Sequence, residues 1–153
     1  MVYLDATVYL FNNDKKYIEL VDYSEQNDSS GAVIHSGDVI DHTKKSGKHT
    51  IEIDLKRLPK DITILYFSIS TCCTILKEIK QPYIRLTDAD SGMELCRYNL
   101  EQKNLGQQTA AVMCKMYKSN DCWNVVALGE LGPGRCTERY RSIVKTIQDK
   151  LLK

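Results

Sequence analysis

The tetrapeptide HSGD, residues 35–38, places a histidine, a glycine and a carboxylate at the mouth of a loop. Carboxylates in such a position offer oxygens to a hard cation. The loop that should close over the ion, Ser36 to Lys48, carries Lys44, Lys45 and Lys48. A lysine held a few ångströms from a carboxylate offsets about 4 kcal/mol of its pull on a cation at an effective dielectric near 20. By its residue types, then, the segment holds a cation, holds something else, or only turns a corner.

Thiol chemistry is the second candidate. The chain has six cysteines: Cys72, Cys73, Cys96, Cys114, Cys122 and Cys136. None form a CxxC, so zinc-ribbon and thioredoxin-like readings find no support. Adjacent Cys72 and Cys73 would point to opposite faces of a strand. Buried free cysteine acting as a small hydrophobe is the plain reading; a thiol-based, metalloid-handling role is the other. No GxSxG, HExxH or GxxxxGK[ST] occurs, and no Ser/His/Asp set is brought together by the strand pattern. The expectation is that the chain is not an enzyme.

The 153 residues carry a net charge of +1. That balance argues against a nucleic-acid partner, which would call for a basic excess. No apolar run reaches the length of a membrane span. The start, MVYLDATVYLF, lacks the basic region and cleavage site of a signal peptide. A cytoplasmic location is expected.

Positioning falls to strands. Val2 to Phe11 alternates with period two, both faces partly apolar. Tyr17 to Val21 returns after the Asn12-Asn13-Asp14 turn. Ala32 to His35 and His49 to Leu55 read as strands, Ser36 to Lys48 as loop, and Ile62 to Thr71 as a central strand. Tyr83–Thr87 and Met93–Leu100 flank a turn in which Gly92 takes positive φ. Ala110–Tyr117 and Trp123–Leu128 follow, then an irregular connector through Gly129 to Gly134. From Thr137, Tyr140, Ile143, Val144, Ile147 and Leu151 fall at helical spacing, with Thr137 as cap and Lys150 and Lys153 near the end. The expected fold is all-β: an antiparallel β-sandwich of two sheets over residues 1–136, with one C-terminal amphipathic helix, residues 137–153, packed on the same domain.

Five segments in order resemble the TerD-type tellurium-resistance and stress-response family. They are LDATVYL, SGAVIHSGD, IDLKRLPKDITILYFSIS, PYIRLTDADSGMELCRYNL and Trp123 through Gly129. The resemblance implies a two-sheet sandwich, calcium (Ca2+) held near one end by acidic side chains and backbone oxygens, and a binding or adaptor role in stress or chemical-resistance assemblies. Candidate metal ligands are Asp5, Asp22, Glu25, Gly37, Asp38 and Asp41, of which Asp5 and Asp38 match family motif positions. Asp28 lies among them. Their alternative is turn formation, with Asp38 in an Asx-turn. His35 reads as a packed strand residue, and His42 and His49 as solvent-facing. A metal-free interaction module, with Lys44, Lys45 and Lys48 replacing the cation, is the alternative function. The family carries further strands ahead of LDAT, so an open sheet edge suggests a homodimer beside a protein partner.

Overall fold

The computed structural model describes residues 4–100 and 104–152. Val2 and Tyr3 of the first expected strand, and Lys153 at the expected helix end, lie outside the described residues.

The first strand, β1 (Leu4–Asn12), alternates as its sequence requires. Val8 and Leu10 enter one core with Val21, Leu65, Phe67, Met113 and Met116. Tyr9 and Phe11 enter a second on the other face. A strand covered on both sides must be interior. It pairs antiparallel with β2 (Tyr17–Val21) and with β7 (Ile62–Thr71). The intervening strands β3 (Val33–His35), β4 (Val39–Asp41), β5 (Ser46–Lys48) and β6 (Ile51–Ile53) are short. β8 (Tyr83–Thr87) and β9 (Glu94–Asn99) form a hairpin, and β10 (Ala110–Ser119) and β11 (Cys122–Gly132) complete the set. The main sheet has the order β11-β10-β7-β1-β2, with the expected central strand at its centre.

The second layer differs from a single continuous sheet. It consists of separate antiparallel ladders, β3–β6 and β8–β9. Ile51, Ile53, Ile84, Leu86 and Tyr98 nonetheless pack on the Val8–Leu10 face. In β3, Val33 and His35 are buried while Ile34 faces out, and on the side away from β6 the strand is bridged antiparallel by Asn27 alone among the described residues. The loop expected over residues 36–48 contains the β4–β5 hairpin, whose turn puts Lys45 at φ 54°. The connector expected from Gly129 is still strand: β11 runs on to Gly132, with Gly129 at φ 65° beneath the Tyr98 ring.

The C-terminal segment starts later than expected. Cys136–Glu138 is a 3-10 turn, and Arg139 and Tyr140 take left-handed backbone. Helix α1 (Arg141–Thr146) then begins after Tyr140 and continues as a π-type turn through Leu151. Thr137 is therefore not its cap. The apolar stripe behaves as its spacing demands: Tyr140, Ile143 and Ile147 are buried on Tyr9, Phe11, Tyr66 and Val112. Tyr66 Oη donates to the Leu151 carbonyl at 3.1 Å. No helix among the described residues is long and apolar enough to cross a membrane.

A candidate cation site at the open edge of the first strand

β2 stays beside β1 only as far as the Val8–Val21 pair. Asp22 then turns the chain away. Its Oδ1 accepts from the Ser24 N–H and hydroxyl, both at 2.9 Å, and from the Glu25 N–H at 2.8 Å. The start of β1 thus has a bare backbone edge at Ala6, whose N–H and C=O need partners.

Two histidines supply them. His35 Nε2–H donates to the Ala6 carbonyl at 3.0 Å, and the Ala6 N–H donates to His49 Nδ1 at 3.1 Å. Both tautomers follow from the bonds. His35 Nδ1 accepts the Gly37 N–H at 2.8 Å, so its hydrogen is on Nε2. His49 Nδ1 also accepts, so its Nε2 carries the hydrogen, donated to Asp38 Oδ1 at 2.5 Å. The rings meet edge to face at 4.8 Å. His35 is a packed residue, as expected. His49 is not solvent-facing: its side chain is only 8% exposed, because the β1 edge recruits it.

Burial, and secondarily the neighbouring His49, pulls the His35 pKa below its ordinary 6.5. The unfolded chain therefore takes this proton first. His35's contribution to stability is complete above pH 6.5 and is lost as pH falls through the lower folded value. Melting between about pH 8 and about pH 5 should show the midpoint falling on the acid side. His35→Gln should flatten that fall, and an unchanged slope would refute the assignment.

Asp5, one residue before Ala6, is 4% exposed. Its Oδ2 has no hydrogen-bond partner. Burial raises its pKa above the ordinary 3.8, while the adjacent Cys136 thiol and His49 draw it partly back. Asp38 reaches the same place from the loop after β3. Ligand atoms of Asp5, Asp38 and His49 all lie within 4.8 Å of one another. Of the three, His49 cannot coordinate as it stands. A neutral ring whose Nδ1 accepts a backbone hydrogen has no lone pair at Nε2. The donor set facing a cation is therefore two carboxylates, up to four oxygens, where calcium takes six to eight. The orphaned, buried Asp5 oxygen fits a cation; the remaining oxygens would come from backbone or water.

The other candidates are engaged elsewhere. Burial opposes the Asp22 charge, but bonds from Glu25, Ser24 and Tyr140 outweigh it and hold its carboxyl below the usual range. Its Oδ2 accepts from Tyr140 Oη at 3.0 Å. Glu25 pairs with Arg139 at 2.5 Å on the surface. Asp41 Oδ1 accepts the Lys44 N–H in the β4–β5 turn. Asp28 is taken up by Ser30 and Val33. Gly37, at φ 72°, lends its N–H to His35 and its carbonyl to the Ser36 hydroxyl. Exposed Lys44, Lys45 and Lys48 form no ion pair with Asp38 or Asp41 among the described residues. His49, Cys136 and Tyr140 were not legible as site residues. The only signal for His49 was its place at the head of a strand closing the loop that begins at HSGD.

Residues 1–135 match the family model of the TerD domain. Among curated proteins, the chain is 28% identical to tellurium resistance protein TerZ of Serratia marcescens over 91% of its own length and 71% of the relative's. It is 29% identical to stress response protein SCP2 of Bacillus subtilis over 82% and 66%. It is 26% identical to chemical-damaging agent resistance protein B of Clostridium acetobutylicum over 73% and 84%. The chain thus spans only about two thirds of the Bacillus relative. Two solved structures share the fold. A protein of unknown function superposes with TM-score 0.79 at 14% identity, covering 93% of this chain and 85% of that one. A homologue of telluride resistance protein from Streptomyces coelicolor superposes with TM-score 0.70 at 11% identity, covering 90% and 83%.

Proposed function

The chain belongs to the TerD domain family, and from that premise we propose that it is a non-enzymatic binding and adaptor module of a stress or chemical-resistance response. It acts in the cytoplasm on a protein partner, with a second copy as a further partner, and takes up calcium between Asp5 and Asp38. The observation that carries this is the Asp5 carboxylate. It is buried, one of its oxygens is unpaired, and a second carboxylate arrives beside it from a distant loop. A buried unpaired carboxylate oxygen costs stability that a cation would recover. To bind, the ion must draw Asp38 away from the His49 Nε2–H, so millimolar rather than micromolar affinity is expected. Both histidines have their ring nitrogens engaged in holding backbone or carboxylate, which supports a non-enzymatic role.

Calorimetry and melting with calcium test the reading. The expected result is measurable heat and a rise in melting temperature at millimolar calcium, both absent in Asp38→Asn. No heat and no shift in the wild-type chain would remove the cation.

The bond from His49 to Asp38 favours a second reading, a metal-free module. In it the His49 hydrogen stands where the cation would, the part first given to the lysines. Calcium would then do nothing, while His49→Gln would lower stability.

A further inference from the structure

The β8–β9 hairpin packs Ile84, Leu86, Cys96 and Tyr98 on the core of the Val8–Leu10 face. By alternation, its other face points to solvent. Of the six large hydrophobic side chains exposed among the described residues, three belong to this hairpin: Tyr83, Met93 and Leu95, at 50%, 60% and 43%. Between them, Arg85 and Arg97 stand directly opposite each other in the strand register. Like charges so placed oppose pairing, because their Cβ atoms are only about 5 Å apart.

The two arginines are not equivalent. Arg97 is held: its Nε donates to Glu94 Oε1 at 2.8 Å and its Nη1 to Asn99 Oδ1 at 3.5 Å, and its guanidinium lies 4.9 Å from the centre of the Tyr83 ring. Arg85 is exposed, and its side chain makes no ion pair or hydrogen bond among the described residues.

We propose that the outer face of this hairpin docks the protein partner, taking one of its carboxylates between Arg85 and Arg97 and its apolar residues on Tyr83, Met93 and Leu95. A guanidinium fork matches a carboxylate through paired hydrogen bonds. A fixed Arg97 loses little side-chain freedom on binding, and the incoming charge offsets the repulsion across the strands. Tyrosine, arginine and methionine are enriched where protein surfaces meet. The closing turn selects against a polyanion. Asp88 and Asp90 in the turn, with Glu94 opposite Thr87, would set like charge against a phosphate backbone or an acidic run. A single carboxylate among apolar residues meets no such barrier. The inference rests on the protein-partner part of the adaptor reading and not on the cation.

The test follows the amide and arginine Nε–H resonances of the calcium-free full chain by NMR during titration with the capped peptide LTVEVTL, which sets one glutamate among apolar residues. Saturable shifts are expected over residues 83–87 and 93–99, including both arginine side chains. The glutamine counterpart LTVQVTL should bind about tenfold more weakly, the scale of one charge-assisted pair. Arg85→Glu should lose LTVEVTL and gain LTVKVTL, while melting no lower than wild type because the opposed charges now attract. Arg85→Gln should lose LTVEVTL and gain neither. Equal binding of the glutamate and glutamine peptides, saturable shifts only elsewhere on the chain, or no saturation would overturn the proposal. So would a dimer, seen by light scattering without peptide, that Arg85→Glu dissociates, since the face would then belong to a second copy. Calcium plays no part in the titration, so its outcome and that of the calcium melts are decided separately.

Discussion

Replacing Gly134 with alanine is expected to lower the melting temperature by roughly 10 °C, the largest single effect anticipated for this chain. Two costs combine. Gly134 has φ 144°, a backbone region that side chains rarely enter. A Cβ there would lie 2.2 Å from Ile143 Cγ1, 2.8 Å from Ile143 Cδ1 and 3.3 Å from the Ile143 backbone nitrogen. The side chain cannot swing clear, because Ile143 is 1% exposed and packed with Tyr9 and Val112. The helix itself must lift. Backbone strain of about 1–3 kcal/mol and overpacking of about 1–3 kcal/mol together make this a severe change. Gly92→Ala is the matched control: φ is 75° but nothing lies within 4 Å of the added Cβ. It should cost only the strain, about 1–2 kcal/mol. Calorimetric melts of both variants check the pair. Equal shifts would show that the close approach of α1 to Gly134 contributes nothing.

Asp5→Asn is expected to stabilise the calcium-free protein by about 1–3 kcal/mol, the scale of an unpaired buried polar group. The sign follows from linkage. A carboxyl whose folded pKa is raised holds its proton longer in the folded state than in the unfolded chain. Stability is therefore lost as pH rises from 3.8 through the folded value, and the loss is complete above it. The variant's advantage should be full near neutrality and should disappear as pH falls towards 3.8. Denaturant unfolding at both ends of that range measures it. The same substitution should remove any calcium-induced rise in melting temperature. A variant that is less stable than wild type at neutral pH without calcium would show the carboxylate to be satisfied by something other than a cation.

The sheet was legible because its signal is local. Period-two alternation in Val8 to Phe11 and the apolar run of Ile62 to Thr71 each specify a strand without reference to the rest of the chain. The helical stripe from Tyr140 was legible for the same reason, although its start was not. Nothing in Thr137 announces that Arg139 and Tyr140 turn left-handed, with Tyr140 Oη bonded to Asp22. The site was half legible. Asp5 and Asp38 sit on motif positions, and they do meet. Asp22, Glu25 and Asp41 are chemically equivalent in sequence; only the turn, ion pair or hairpin each one serves sets them apart. Basic residues in a loop look electrostatically decisive on paper. Their reach lets the ammonium groups remain in water, and the nearby imidazole takes the short-range contact instead.

The edge of β1 at Ala6 is completed by two imidazole rings, not by a neighbouring chain segment. A patch made of side chains makes few demands on the polypeptide between them. Residues 39–48 can change in length or composition, provided both rings arrive, Gly37 can still make its bend and Asp38 still meets His49. The segment is thus a place where this architecture can vary its outer contour without renegotiating the interior. A docking preference could shift there while the framework beneath stays the same.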